Sequence, residues 1–179
     1  MNYKFINIPG WQSVAHQLLD YFENQTDIIK NKIFWNVLTI DHHQTVFDTV
    51  EKLLSPFNLK VKRAILLVIF DDSITIHQDN NYSPVARINI PLLNCENTFT
   101  NFYTSSEDPE TNNDFLPDTG TPYIAYRTES CTLVDQIEVT TPVVMNVQSI
   151  HNVVTKNINR PRIMLSIQTT PDAEILLKE

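Results

Sequence analysis

From residue 56 onward the chain is one short apolar, β-branched run after another, at 59–70, 73–78, 86–93, 98–103, 123–127, 131–139, 142–150 and 162–169. Asn, Asp and Pro punctuate these runs. Eight short strands so spaced predict an antiparallel sandwich or barrel, of which the jelly roll is one form. The first 55 residues read differently, as mostly helical. From Trp11, the residues Val14, Ala15, Leu18, Leu19 and Phe22 recur at three- and four-residue steps and share one helix face. Residues 34–40 fit a short strand. Asp41 and Gln44 then resemble a capping box before a second amphipathic helix with Val46, Phe47, Val50, Leu53 and Leu54. That helix should stop near Ser55-Pro56, because the residue before a proline is pushed out of the helical region. Helices gathered at one end and strands at the other argue an α+β architecture. No repeat or low-complexity linker divides the 179 residues. We therefore expect one domain, helical over 1–55 with a jelly-roll core over 56–170.

Turn chemistry carries the first functional exclusion. The chain has 2 glycines, Gly10 and Gly120, against a usual share of about 7%. A P-loop, a dinucleotide fingerprint or a kinase-type lid needs more, so nucleotide chemistry of those kinds is excluded. Pairs such as Asn80-Asn81 and Asn112-Asn113 suit turns instead, since Asn tolerates left-handed backbone. Lys and Arg number 13 against 21 Asp and Glu, a net charge of −8, which argues against a nucleic-acid partner. The longest apolar run, 64–70, is strand-sized and far from the ~18–20 residues of a membrane span. No signal-peptide core follows Lys4. Cys95 and Cys131 are too few for a disulfide framework, lack zinc-motif spacing, and read as ordinary buried thiols. The expectation is a cytoplasmic protein without a membrane partner.

The chemistry concentrates in three places. In the 73–78 run and just beyond it, Thr75, His77 and Asp79 alternate with Ile74, Ile76 and Gln78, so His77 and Asp79 share a strand face. An imidazole and a carboxylate so placed can hold one metal ion. With a second His from a distant strand they make a facial triad, which leaves open positions on the metal. Alone, His-x-Asp is a weak motif. His151, however, closes the 142–150 run, and Arg162 opens the next strand eleven residues later. If those strands are adjacent and antiparallel, Arg162 lies deeper in the barrel on the side of His151. A guanidinium there suits a carboxylate, which it grips with two parallel charge-assisted bonds. Finally, Arg87 and Asn89 form a polar stripe in the otherwise apolar 86–90 segment, and buried polar groups need partners. A bound dianion would supply them; a structural acid for either arginine is the plainer alternative.

The order His77-x-Asp79, then Arg87-Ile-Asn-Ile-Pro91 with Leu92-Leu93-Asn94-Cys95, then His151 and Pro161-Arg162-Ile163, resembles the Fe(II)/2-oxoglutarate-dependent oxygenases. It is most similar to their aspartyl/asparaginyl hydroxylase-like and prolyl-hydroxylase-like branches, over roughly residues 74–169. The resemblance implies a double-stranded β-helix with His77, Asp79 and His151 as iron ligands. Arg162 would bind the distal carboxylate of 2-oxoglutarate, and Arg87 and Asn89 would hold a co-substrate carboxylate. It implies oxidative decarboxylation of 2-oxoglutarate coupled to C–H hydroxylation of a peptide side chain or small molecule. Some aspartyl hydroxylases lack the carboxylate ligand; Asp79 makes this triad complete. The chain departs from the family in its scarcity of glycine, with Asn80-Asn81 at the turn after the His-x-Asp motif.

Two rivals stand beside this reading: a cupin-like module that binds metal or ligand without oxidation, and a structural jelly roll whose two histidines never meet. Arg162 with Arg87 argues against the second, since a structural barrel has little use for internal cations. His42 and His43, in a helix's first turn, read as exposed polar residues, and His16 as a packing or surface residue. Trp11, Trp35 and Tyr103 fit either a core or a pocket. The segment 104–118, with Glu107, Asp108, Glu110, Asp114 and Asp118, reads as a solvated acidic loop or as a lid favouring cationic or neutral substrates.

Overall fold

The computed structural model describes residues 1–25, 35–39, 44–69, 75–79, 84–110, 114–115, 122–156 and 161–178. In chain order the elements are β1 (Tyr3–Phe5), α1 (Trp11–Gln25), β2 (Trp35–Thr39), α2 (Gln44–Leu54), a 3-10 turn (Ser55–Phe57), β3 (Lys60–Ile69), β4 (His77–Asp79), β5 (Ala86–Leu93) and β6 (Thr98–Ser105). Then come β7 (Asp114–Phe115), β8 (Pro122–Ala125), a 3-10 turn (Thr128–Ser130), β9 (Cys131–Glu138), β10 (Val143–Asn146), β11 (His151–Thr155), β12 (Arg162–Thr170) and α3 (Glu174–Lys178). The strands form two six-stranded sheets, β1-β10-β5-β12-β3-β2 and β7-β8-β4-β11-β6-β9. Every pairing is antiparallel, an arrangement of the jelly-roll type.

The first sheet is buried on both faces, and its sequence shows why. Along β12, Ile163, Leu165 and Ile167 point one way and pack with Leu18 and Phe22 of α1 and Val46, Val50 and Leu54 of α2. Arg162, Met164 and Ser166 point the other way, toward the second sheet. β5 repeats the division, with Ile88 and Ile90 under the helices and Arg87 and Asn89 facing inward. A second apolar layer between the sheets includes Phe102, Ile137, Val143, Met145 and Met164. The layers are thus helices, sheet, sheet, and polar inward positions of the first sheet stand out against an apolar background.

The strand expected at 34–40 is β2 (Trp35–Thr39), one edge of the first sheet, and β1, which no local pattern marks, is the other. One expectation needs correction. The 142–150 run is not one strand. β10 ends at Asn146, whose side chain accepts from the Gln148 N–H at 3.0 Å and turns the chain across to the opposite sheet. His151 therefore opens a new strand, β11, rather than closing the old one. Asparagine does take the left-handed turn positions, at Asn58, Asn94 and Asn97 (φ 54°, 50° and 57°). The Asn80-Asn81 and Asn112-Asn113 pairs, Gly120, Asp41, His42, His43 and residues 73–74 lie outside the described residues. No helix among the described residues is long and apolar enough to cross a membrane.

Candidate metal centre

β4 and β11 are neighbours, and their register sets His77 directly opposite His151. Strand alternation turns Asp79 to the same face as His77. The three side chains bring one ligand atom each to within 4.8 Å of one another. The imidazole rings lie 4.6 Å apart, centre to centre. Each is oriented by the backbone: His77 Nδ1 pairs with the Thr75 carbonyl and His151 Nδ1 with the Ser149 carbonyl, both at 2.7 Å. A ring bound so through Nδ1 is a donor there, which leaves Nε2 as the lone-pair site for a metal. Burial, with the neighbouring His77 ring, pushes the His151 imidazole down to about 4, so it is a neutral ligand at physiological pH. Two imidazoles and one carboxylate form the facial donor set that suits Fe(II) and leaves coordination positions open.

Facing them across the sandwich is a wall of a different chemistry. Arg87 and Asn89 on β5 and Arg162 on β12 all line the same cavity of about 90 Å³. Arg162 does not sit on a strand adjacent to that of His151, as the sequence suggested. β11 and β12 belong to opposite sheets, so the guanidinium faces the metal ligands instead of extending their row. Its register with β5 slips between Ile163 and Met164, a bulge of the kind that re-aims a neighbouring side chain. Arg162 is 3% exposed, its Nε has no hydrogen-bond partner, and among the described residues no carboxylate pairs with it. Cys95 is its polar neighbour. Arg87 does have an acid: its Nε lies 3.5 Å from Asp79 Oδ2, an ion pair that crosses from one sheet to the other. Arg87 Nη1 and Asn89 Oδ1 are nonetheless buried without partners. Burial lowers both guanidiniums from the usual arginine range.

The Asp79–Arg87 pair has a consequence in the metal-free protein. Removing one partner of a buried pair strands the other charge, at about 3–5 kcal/mol. Asp79→Ala is therefore expected to lose about that much unfolding free energy, read by urea denaturation with chelator present. Stability equal to wild type would mean that Arg87 does not depend on Asp79.

The remaining lining shows what pattern reading missed. Thr100, Tyr123 and Ser166 also reach the cavity, alongside apolar Leu67, Ile69 and Met164. Tyr123 stands opposite Asp79 in the β4–β8 register and packs edge-on to His77 at 5.8 Å. Ser166 could have been found, since it lies four residues beyond Arg162 on the same strand face. Other candidates fall elsewhere. His16 is exposed and pairs with the Gln12 carbonyl, Trp11 packs against the helix-side core, and Tyr103 bonds Asn152 on the outer face of its sheet. Cys95 is buried as expected, whereas Cys131 is only half-buried. The described part of the acidic segment is fastened to the second sheet, through Ser106 to Ser130 and Glu110 to Ala125 and Arg127. None of those residues lines the cavity.

No protein-family model and no curated protein sequence matches the chain. Solved structures do. HygX from Streptomyces hygroscopicus, with nickel and 2-oxoglutarate bound, superposes with a TM-score of 0.55 over 93% of this chain and 81% of its own, at 12% identity. Its iron-bound form gives 0.54 at 13% identity, with the same coverage. The epimerase SnoN, in complex with Fe3+, alpha ketoglutarate and nogalamycin RO, gives 0.51 over 93% of this chain and 77% of its own, at 12% identity. At such identities the likeness is one of fold, and nearly the whole chain shares it.

Proposed function

We propose that this protein is an iron- and 2-oxoglutarate-dependent hydroxylase built on a double-stranded β-helix. The observation that carries the reading is the pairing, across one cavity, of a two-histidine, one-carboxylate cluster with a buried arginine that pairs with no acid among the described residues. HygX and SnoN were crystallised with 2-oxoglutarate and a metal, which supports the co-substrate. The His77-x-Asp79 to Arg162 order that resembles aspartyl/asparaginyl and prolyl hydroxylases supports hydroxylation as the outcome.

In this reading His77 and His151 bind the metal through Nε2, with their rings fixed by the Thr75 and Ser149 carbonyls. Asp79 gives one carboxylate oxygen to the metal while Arg87 holds the other side of the group, which sets its rotation. Arg162 receives the distal carboxylate of 2-oxoglutarate, its guanidinium already desolvated and waiting for an anion. Leu67, Ile69 and Met164 keep the space between apolar and exclude bulk water. Iron with 2-oxoglutarate supplies oxidative decarboxylation coupled to attack on a C–H bond; the protein's part is binding, orientation and exclusion.

Anaerobic titration with Fe(II), then 2-oxoglutarate, tests this reading. The expected result is a weak visible charge-transfer band that grows only when both are present. A folded protein that takes up Fe(II) but never develops the band is a metal-binding cupin instead. Product analysis after admitting oxygen then separates hydroxylation from an epimerase outcome such as SnoN's.

A further inference from the structure

The cavity holds more cationic and hydrogen-bonding capacity than 2-oxoglutarate uses. The following argument rests on the reading above. One carboxylate of the co-substrate belongs with the metal and the other with Arg162, which pairs with no acid among the described residues. Arg87 then remains. Its Nε is committed to Asp79, but Nη1, on a side chain in a residue 6% exposed, is a charged donor with nothing to donate to. Two residues along β5, on the same face, Asn89 has the complementary deficit. Its amide nitrogen lies 3.9 Å from Met145 Sδ, and a thioether can only accept. That contact takes up the amide nitrogen and leaves Oδ1 buried without a donor, on a side chain that lines the cavity. Buried polar atoms are rarely left unsatisfied, and a buried charged donor least of all.

We infer that Arg87 and Asn89 form the substrate subsite, and that the substrate is a carboxylate with an N–H or O–H donor on its α-carbon. Its carboxylate takes Arg87 Nη1, and its amino, amide or hydroxyl hydrogen goes to Asn89 Oδ1. The charges agree: among the described residues two guanidiniums meet one protein carboxylate here, and a dianionic co-substrate on a divalent metal leaves one positive charge to match. The chain is acidic overall, at −8, so the attraction for an anion must be this local one. The acidic segment, which by sequence favoured cationic or neutral substrates, contributes no described residue to the cavity. Free amino acids, free hydroxy acids and the C-terminus of a peptide all carry the required group.

Titration calorimetry on matched probes tests the inference, on metal-free protein and again after anaerobic loading with Fe(II) and 2-oxoglutarate. The pairs are L-lactate against lactamide, L-alanine against L-alaninamide, and N-acetyl-L-alanine, standing for a peptide end, against its amide. Propionate serves as the acid with no donor. The expected result is about tenfold or tighter binding of acid over amide in at least one pair, and of that acid over propionate. The winning pair names the source. Equal binding of acid and amide would overturn the inference and return both groups to the co-substrate. Propionate binding as well as the best acid would remove Asn89 from the subsite. Absence of the charge-transfer band would instead overturn the metal reading, while the acid-over-amide comparison on metal-free Arg162→Met protein, which lacks the other open cation, would still decide this one.

Discussion

Replacing His151 by Ala is expected to weaken Fe(II) binding roughly 100-fold or more, because even loss of a ligand's outer partner costs 10–100-fold. The ring is one of three donors within 4.8 Å, and its neutral form at physiological pH needs no proton release before it binds. His77→Ala should behave alike, since the two rings face each other in register. Equilibrium dialysis with Fe(II), or with Mn(II) as an air-stable substitute, measures the loss. Wild-type affinity in either variant would break the triad assignment. Circular dichroism should remain that of the native protein, because each ring's hydrogen bond runs to a carbonyl two residues before it and holds no strand pairing.

Arg162→Ala is expected to raise the 2-oxoglutarate concentration needed for the charge-transfer band by tens- to thousands-fold while sparing Fe(II) binding. A bidentate charge-assisted partner lost from a buried site is worth about 2–5 kcal/mol. Arg162→Lys should recover only part, because an ammonium cannot reproduce the two-pronged grip. Stability supplies a second readout with the opposite sign. A buried guanidinium that pairs with no described acid is a cost in the metal-free protein, so Arg162→Met should leave its stability unchanged or raise it. Unchanged 2-oxoglutarate dependence in Arg162→Ala would move the co-substrate's distal carboxylate to Arg87.

How much of this was legible beforehand depended on whether local pattern or long-range placement decided it. The β5 run was read to the residue, at 86–93, because alternating polar and apolar side chains and flanking turns define it locally. His77 and Asp79 were likewise readable, since a spacing of two fixes a shared strand face without any tertiary knowledge. His151 was found as a residue but misplaced as an element. Its strand is separated from β10 by four residues, and nothing local marks the passage between sheets except Asn146. The sequence brings Arg162 near His151 only by supposing adjacent strands; it lines the same cavity from the opposite sheet, because which strands share a sheet is a property of the whole topology. The Arg87–Asp79 pair joins residues eight apart on strands of different sheets, and Tyr123 enters through the β4–β8 register; neither leaves a trace in the linear pattern.

The separation of the two walls has a mechanical consequence. All three candidate metal ligands stand on one sheet, and the three inward polar groups that await a ligand stand on the other. In the proposed reading a metal alone would draw its ligands from one sheet, tied to the other only by the Asp79–Arg87 pair and the apolar layer. A dianion held at one end by that metal and at the other by Arg162 would rivet the two sheets together. Binding energy then opposes unfolding directly, in proportion to the logarithm of ligand concentration over its dissociation constant. It is also felt on the far side of β12, where Ile163 and Leu165 support the helices. Occupancy of the cavity would then be felt in the helical layer, although no described helix lines the cavity.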